Sequence, residues 1–349
     1  MKKIIFTILL LLPFNINAVS TSASKAILMD MDSNRIIYAK NIHDVQSVAS
    51  ISKIMTAVVA IESGKLDDEV KINSSISKAY GSAIYIKENE KLTLRDLVYG
   101  LMLRSGNDAA LAIADYVGGS VNHFVEMMND KAKTIGMKNS EFNNPSGLDE
   151  EKGNFSTAYD MAILTSYAMK LDEYKKIVGT KKYTVKTNKN SYLWKNKNKL
   201  LNLYKYTTGG KTGYTKKAKR TLVTTASKNN INLVSVTLND GNDFKDHMNL
   251  FEYGFNNYEK YKILKKGKIN IYNEKYYKKY ILYIKKDFSY ILDDTEKEIV
   301  NIKYNLYKNK KIKNNQSVGK VIVNIGDKKV YEEKIYIKKK IQNKKWGLW

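Results

Sequence analysis

The sequence predicts an α/β fold of the α+β kind, followed by a small all-β C-terminal domain. Three observations predict it. Strand-like segments open the chain, helix-like segments fill its middle, and strand-like segments return before residue 240, so one sheet draws on both ends with a helical lobe between them. Beyond residue 256, tyrosine, lysine and isoleucine alternate with period two. The 349 residues, 43% of them apolar, are enough for one large domain and a smaller one.

In chain order, KAILMD (25–30) and RIIYAK (35–40) flank a polar MDSN and read as a hairpin. A helix is expected from about Ser50 to Ser63, with Ile51, Ile54, Met55, Val58 and Val59 at helical spacing and Gly64 past its end. Thr93 reads as the N-cap of LRDLVYGLMLR. A break at Ser105-Gly106-Asn107 separates that helix from DAALAIADYV, and VNHFVEMMNDKAKTIG is a further amphipathic helix. RTLVTTA (220–226) and INLVSVTL (231–238), joined by SKNN, form a strand pair, and IGDKK marks a turn in the all-β segment. The expected division is 1–18 signal peptide, 19–255 catalytic domain, and 256–349 β-rich domain with a basic, tryptophan-containing tail.

Composition removes several chemistries. With no cysteine, disulfides and thiolate metal sites are excluded. His43, His123 and His247 are far apart and not at metal-ligand spacing, so no metal or cofactor is expected. Lys2 and Lys3 precede an apolar run from Ile4 to Phe14, with Ala18 as a small residue for cleavage, which is the pattern of a secretory signal peptide. The net charge is +25, yet only Arg35, Arg95, Arg104 and Arg220 are arginines. Scarce arginine and export argue against nucleic acid as a partner, while the charge draws the protein to anionic polymers and headgroups.

Ser50 and Lys53 stand three residues apart where the buried helix begins. Residues so spaced share one helical face. A serine hydroxyl is a weak nucleophile until a neighbour takes its proton, and a lysine desolvated by burial is the base at hand. The spacing alone is weak, since Ser22/Lys25, Ser75/Lys78 and Ser317/Lys320 repeat it; a solvated helix-end lysine is the plain alternative. Ser105 and Asn107 sit at a tight break between apolar helices, where an ordinary turn is also good chemistry. Lys211, Thr212 and Gly213 are expected at the head of a hairpin: a cation, a hydroxyl donor, and a residue without bulk that lets a substrate backbone approach. His43, seven residues before Ser50, is read as a surface histidine.

Ser50-x-x-Lys53, Ser105-x-Asn107 and Lys211-Thr212-Gly213, in that order, resemble the signature of penicillin-binding proteins and serine β-lactamases. With NPSGLDEEKGNFSTAYDMA, NKNKLL and KTGYTKKA, the chain from about 24 to 255 is similar to the D-alanyl-D-alanine carboxypeptidases, the low-molecular-mass penicillin-binding proteins of peptidase family S11. The resemblance implies a β-lactamase/transpeptidase-like domain with a helical lobe. It implies that Ser50 attacks the carbonyl between two D-alanines of a peptidoglycan stem peptide, that Lys53 accepts the proton and that Ser105 relays it. Asn107 holds the substrate amide, and Lys211 and Thr212 bind the terminal carboxylate beside Gly213. The backbone N–H groups of Ser50 and Tyr214 form the oxyanion hole. β-Lactams would trap the same serine.

Four positions depart from the family pattern: Gly210, which should loosen its strand; Thr208; Lys219 in place of a usual glycine; and Ser146. Two other readings are open. A serine β-lactamase shares the three motifs but needs fast deacylation in addition; a non-catalytic wall-polymer binding protein is the other. Trp346 and Trp349, beside Lys338 to Lys340, Lys344 and Lys345, suggest weak membrane-surface association of an exported, extracytoplasmic protein.

Overall fold

The computed structural model describes residues 19–149, 152–272, 274–308 and 313–339. The expected signal peptide (1–18) and the tail from Lys340 to Trp349 lie outside the described residues.

The fold is α+β, with the central sheet drawn from both ends of the first 240 residues. β1 (Lys25–Asp30) and β2 (Ile36–Lys40) form the expected hairpin, and β3 (Thr207–Thr215), β4 (Lys219–Lys228) and β5 (Ile231–Leu238) return after the helices. The antiparallel order is β2-β1-β5-β4-β3, with Ile27 opposite Val236 and Gly213 opposite Thr221. The inner strands read as continuous apolar runs because both faces are covered. Ile27, Met29, Val223, Val234 and Val236 face the helical lobe. Leu28, Leu222 and Leu233 face the opposite side.

The lobe centres on α1 (Lys53–Glu62), whose residues from Lys53 to Ala60 are all buried. A helix apolar on all sides belongs inside a bundle, and α2 (Leu94–Tyr99), α3 (Asn107–Gly118), α4 (Val121–Ile135), α5 (Ala158–Ala168) and α6 (Asp172–Gly179) surround it. Thr93 caps α2 in a reciprocal capping box with Asp96, as its position predicts. After α2 the chain widens into a π-turn, Gly100–Arg104, and Ser105 turns left-handed at φ 64° to start α3. α7 (Asp243–Asn257) covers the other face through Leu250 and Phe251.

The second unit is all β. β6 (Glu259–Leu264) pairs with β9 (Phe288–Leu292). β7 (Gly267–Lys268), β8 (Tyr280–Ile284), β10 (Val300–Leu306), β11 (Ser317–Ile325) and β12 (Lys328–Lys339) form a sheet of order β7-β8-β12-β11-β10 over a core including Val321, Val323, Ile335 and Ile337. Arg35, between β1 and β2, ties the units together. It donates to the Ile291 carbonyl and to Glu296, 2.6 Å each, with its guanidinium 4.9 Å from the Tyr258 ring centre.

Three local expectations differ from the structure. The helix expected from Ser50 starts with a 3₁₀ turn, Ala49–Ser52, and becomes α-helical only at Lys53. Lys211-Thr212-Gly213 is not at a hairpin head but inside the edge strand β3, its glycines serving close approach rather than a turn. Gly210 does not loosen that strand: φ is +150°, and a Cβ there would lie 2.3 Å from the Val223 carbonyl oxygen, so only glycine lets β3 meet β4.

Lys219 is exposed and held left-handed at φ 60°, a conformation that strains a side chain. Lys219→Gly is expected to raise stability by roughly 0.5–1 kcal/mol, read as a higher urea midpoint at unchanged m-value; an unchanged or lower midpoint contradicts the strain.

Candidate active site

Ser50 sits in the 3₁₀ turn, half-buried, directly after Ala49 at φ 50°. The turn is pressed against β3. A Cβ on Gly213 would stand 3.0 Å from the Ser50 backbone nitrogen and 2.4 Å from Thr221 Oγ1. Any side chain there would push the strand off the serine, which is why glycine occupies the position. Thr221 fixes the turn from below by donating to the Val48 carbonyl at 3.0 Å.

Lys53 follows one turn later with no solvent exposure. Its Nζ lies 3.1 Å from Ser50 Oγ and 2.7 Å from Asn107 Oδ1, and it also donates to the Ser146 carbonyl. Burial pushes its pKa down to about 7, with Lys197 adding repulsion and Asp108 opposing both. Near neutrality a sizeable fraction is therefore an amine with a lone pair beside the hydroxyl.

Asn107 is engaged at both ends. Its Oδ1 accepts from Lys53, and its Nδ2 donates to the Tyr80 carbonyl at 2.6 Å. Ser105, almost fully buried, lines the same cavity of about 350 Å³ as Ser50, Ser82, Lys197, Thr212, Gly213 and Tyr214. Lys211 is 1% exposed and donates to the Thr212 carbonyl at 2.7 Å. Its pKa is pushed well below the ordinary lysine value by burial, then by Lys53 and Lys197. The cavity thus gathers Ser50, Ser105, Thr212, Gly213 and Tyr214 in its wall, with Lys53, Asn107 and Lys211 packed behind.

Several contributors carry little sequence signal. Lys197, in the NKNKLL segment, points its Nζ at Ser82 Oγ, 3.1 Å away, and burial lowers its pKa, with Arg104 adding to the shift. Asp108, next to Asn107, accepts backbone N–H groups from Ile84, Tyr85 and Ile86 at 2.8 to 3.3 Å and so fixes the loop bearing Tyr80 and Ser82. Asp149 accepts from Ser47 and Thr215, joining the segment 143–149 to both flanks of the nucleophile. Only the run SGND, with a carboxylate beside the motif asparagine, hinted at one of them. His43 lies outside the group and packs on Tyr159 with ring centres 5.1 Å apart. His247 is sealed between the Thr224 and Thr237 hydroxyls, and burial drives its pKa down to about 3. Among the described residues no group of three His, Cys, Asp or Glu side chains is placed to hold a metal ion.

A hydroxyl beside a partly neutral buried amine, with a second buried lysine packed behind the same cavity, suits acyl transfer from a substrate ending in an anion, which would restore that lysine's proton. Comparison with known proteins agrees. The sequence model of the family described as D-alanyl-D-alanine carboxypeptidase matches residues 13–242, and that of the penicillin-binding protein 5 C-terminal domain matches 258–343. The D-alanyl-D-alanine carboxypeptidase DacF of Bacillus subtilis is 34% identical over 254 residues, which are 70% of this chain and 65% of that protein. DacA of Haemophilus influenzae is 34% identical over 276 residues, 73% of this chain and 67% of that one. Penicillin-binding protein 5 from Haemophilus influenzae superimposes with a TM-score of 0.78 at 30% identity, over 92% of this chain and 98% of that one.

Asp108→Ala strips the backbone N–H groups of Ile84, Tyr85 and Ile86 of their acceptor. A loss of about 2–4 kcal/mol is expected, read by urea unfolding; a change under about 0.5 kcal/mol contradicts the loop-anchoring role.

Proposed function

The chain belongs to the D-alanyl-D-alanine carboxypeptidase family, and we propose that it removes the terminal D-alanine from peptidoglycan stem peptides through an acyl-enzyme on Ser50. The observation that carries this reading is the Lys53 Nζ, without solvent exposure and with its pKa lowered to about 7, standing 3.1 Å from the Ser50 hydroxyl.

In the proposed reaction Ser50 Oγ attacks the carbonyl between the two D-alanines and its proton passes to the Lys53 amine. The oxyanion is received by the backbone N–H groups of Ser50 and Tyr214, donors worth about 2.7–4 kcal/mol of barrier each. Ser105 relays the proton to the departing D-alanine nitrogen as the C–N bond breaks. Lys211 and Thr212, beside Gly213, pair with the terminal carboxylate, which also relieves the repulsion among Lys53, Lys197 and Lys211. Asn107 orients Lys53 and offers its remaining N–H to the substrate amide. Water then cleaves the ester. A β-lactam presents a strained amide to the same serine and is held as a slowly released adduct.

The division of labour is part of the proposal: residues 19–255 catalyse, and residues 256–349 position the site near wall or membrane. The segment 1–18 directs export to the cell surface or periplasm, for a role in cell-wall biogenesis and cell shape. Trp346 and Trp349, outside the described residues, would add weak, salt-sensitive contact with a membrane surface. Among the described residues no helix is long and apolar enough to cross a membrane. Nucleic acid is not a proposed partner.

Incubation with penicillin followed by peptide mass spectrometry is expected to place one slowly released adduct on Ser50 and none in Ser50→Ala; an adduct elsewhere, or prompt turnover of the drug, contradicts the reading. The rate of acylation should rise with pH through about 7 as Lys53 loses its proton. Lys197→Gln removes a repelling charge, so the midpoint should move to higher pH; a midpoint that stays or falls contradicts Lys53 as the base.

A further inference from the structure

The five-stranded sheet of the second unit turns one face to its core. Leu282, Ile284, Val321, Val323, Ile335 and Ile337 are buried on that side, so the residues alternating with them point outward. The outward face is basic. Lys268, Lys285, Lys303, Lys320, Lys334 and Lys338 share it with one carboxylate, Glu332. Glu332 is taken by Lys320 at 2.6 Å and by Lys329 at 3.3 Å, and the other five lysines of the face have no carboxylate partner among the described residues. Acids close by in the chain are engaged or face away. Glu333 lies on the core side and accepts from the Tyr331 hydroxyl at 3.1 Å, and Asp287 accepts from the Lys266 N–H at 2.8 Å. Asp327 stands in the β11–β12 turn beside Lys328 and Lys329.

A lysine-rich composition sets how many cations there are, not where they gather. Several acids of this unit gather at its junction with the first, where Glu296 holds Arg35, and Glu259 and Asp294 hold Lys297. On the outward face, Lys320 stands directly opposite Lys334, and like charges across a ladder cost stability. Beside them Tyr283 and Tyr336 stack with ring centres 5.7 Å apart, and the Lys285 ammonium lies 3.9 Å from the Tyr336 ring centre. The outward Ile281 and Ile322 are half-buried, and the exposed Ile299 and Tyr307 flank β10 at opposite ends. Neither pair forms the contiguous apolar face that a bilayer takes up.

We propose that this sheet face binds a linear polymer of the cell envelope that carries repeating phosphate groups. The inference rests on the export proposed above and not on the chemistry at Ser50. A lysine ammonium meets a phosphate as a point charge. Neighbouring strands are rotated by about 20–25°, so a five-strand face does not lie flat on a plane, whereas a flexible chain follows its twist. Along β12, Lys334 and Lys338 are about 13 Å apart, and Lys320 sets a further charge beside Lys334. A polymer crossing there meets several ammonium groups, and each phosphate it seats raises the effective concentration of the next.

The test titrates the protein with long-chain polyphosphate and, separately, with vesicles of equal parts phosphatidylcholine and phosphatidylglycerol, over a series of salt concentrations. Lys303→Gln/Lys334→Gln/Lys338→Gln should weaken polyphosphate binding about ten- to hundredfold at low salt and flatten its salt dependence. Lys138→Gln/Lys176→Gln/Lys182→Gln loses the same charge from exposed positions of the first unit and should bind as the unaltered protein does. Lys303→Arg/Lys334→Arg/Lys338→Arg keeps the charge and should keep the affinity, which separates a lost contact from a damaged fold. Equal losses in the two glutamine variants, loss in the arginine variant, or no binding by the unaltered protein overturns the proposal. So does tighter binding to the vesicles at equal anionic charge, which assigns the face to a membrane surface. Penicillin labelling of Ser50 should be the same in all these variants, so the outcome leaves the carboxypeptidase reading to its own test.

Discussion

The constraint on which the site depends is the burial of two lysines, Lys53 and Lys211, behind one small cavity. Removing an ammonium from water is costly, and two of them near each other repel. The protein reduces the cost by releasing protons and by supplying acceptors: Asn107 Oδ1 and two backbone carbonyls, those of Ser146 and Thr212. A lysine kept in this way is a base at neutral pH, and a cavity lined in this way favours an anion. Both properties follow from one choice of burial, and both serve the proposed cleavage of a peptide that ends in a carboxylate.

Holding that arrangement requires three distant segments to meet, and backbone contacts do most of the holding. The edge strand β3 reaches the serine only because Gly213 has no side chain, and it meets β4 only because Gly210 has none. Asp108 fixes one rim through backbone N–H groups of 84–86, while Asp149 ties the segment 143–149 to Ser47 and Thr215. The carbonyl that steadies Lys53 comes from that segment, so the state of the base is coupled to its position. Two non-glycine residues at the same place, Ala49 and Ser105, are held left-handed.

Much of this was legible in the sequence. The helical period from Ile51 to Val59, the cap at Thr93 and the alternation beyond 256 each matched an element, because each reflects burial on a regular lattice. Ser50, Ser105, Thr212 and Gly213 were legible as motifs, and the fold brings them around one cavity. What the sequence hid was tertiary. The 3₁₀ entry to α1 has no local mark. The Lys-Thr-Gly strand looked like a turn because its glycines answer to neighbours far along the chain, Ser50 and Val223. Lys197 and Asp149 act through contacts more than sixty residues away, which no local pattern announces.

The state of Lys53 can be read without any substrate. With the lysine Cε carbons labelled by ¹³C and the Lys53 signal assigned by its loss in Lys53→Met, its chemical shift is followed from pH 5 to pH 11. The burial account predicts a midpoint near 7. A midpoint near 10.5, the value of a lysine in water, would show the ammonium to be unperturbed and remove the base on which the proposed chemistry depends.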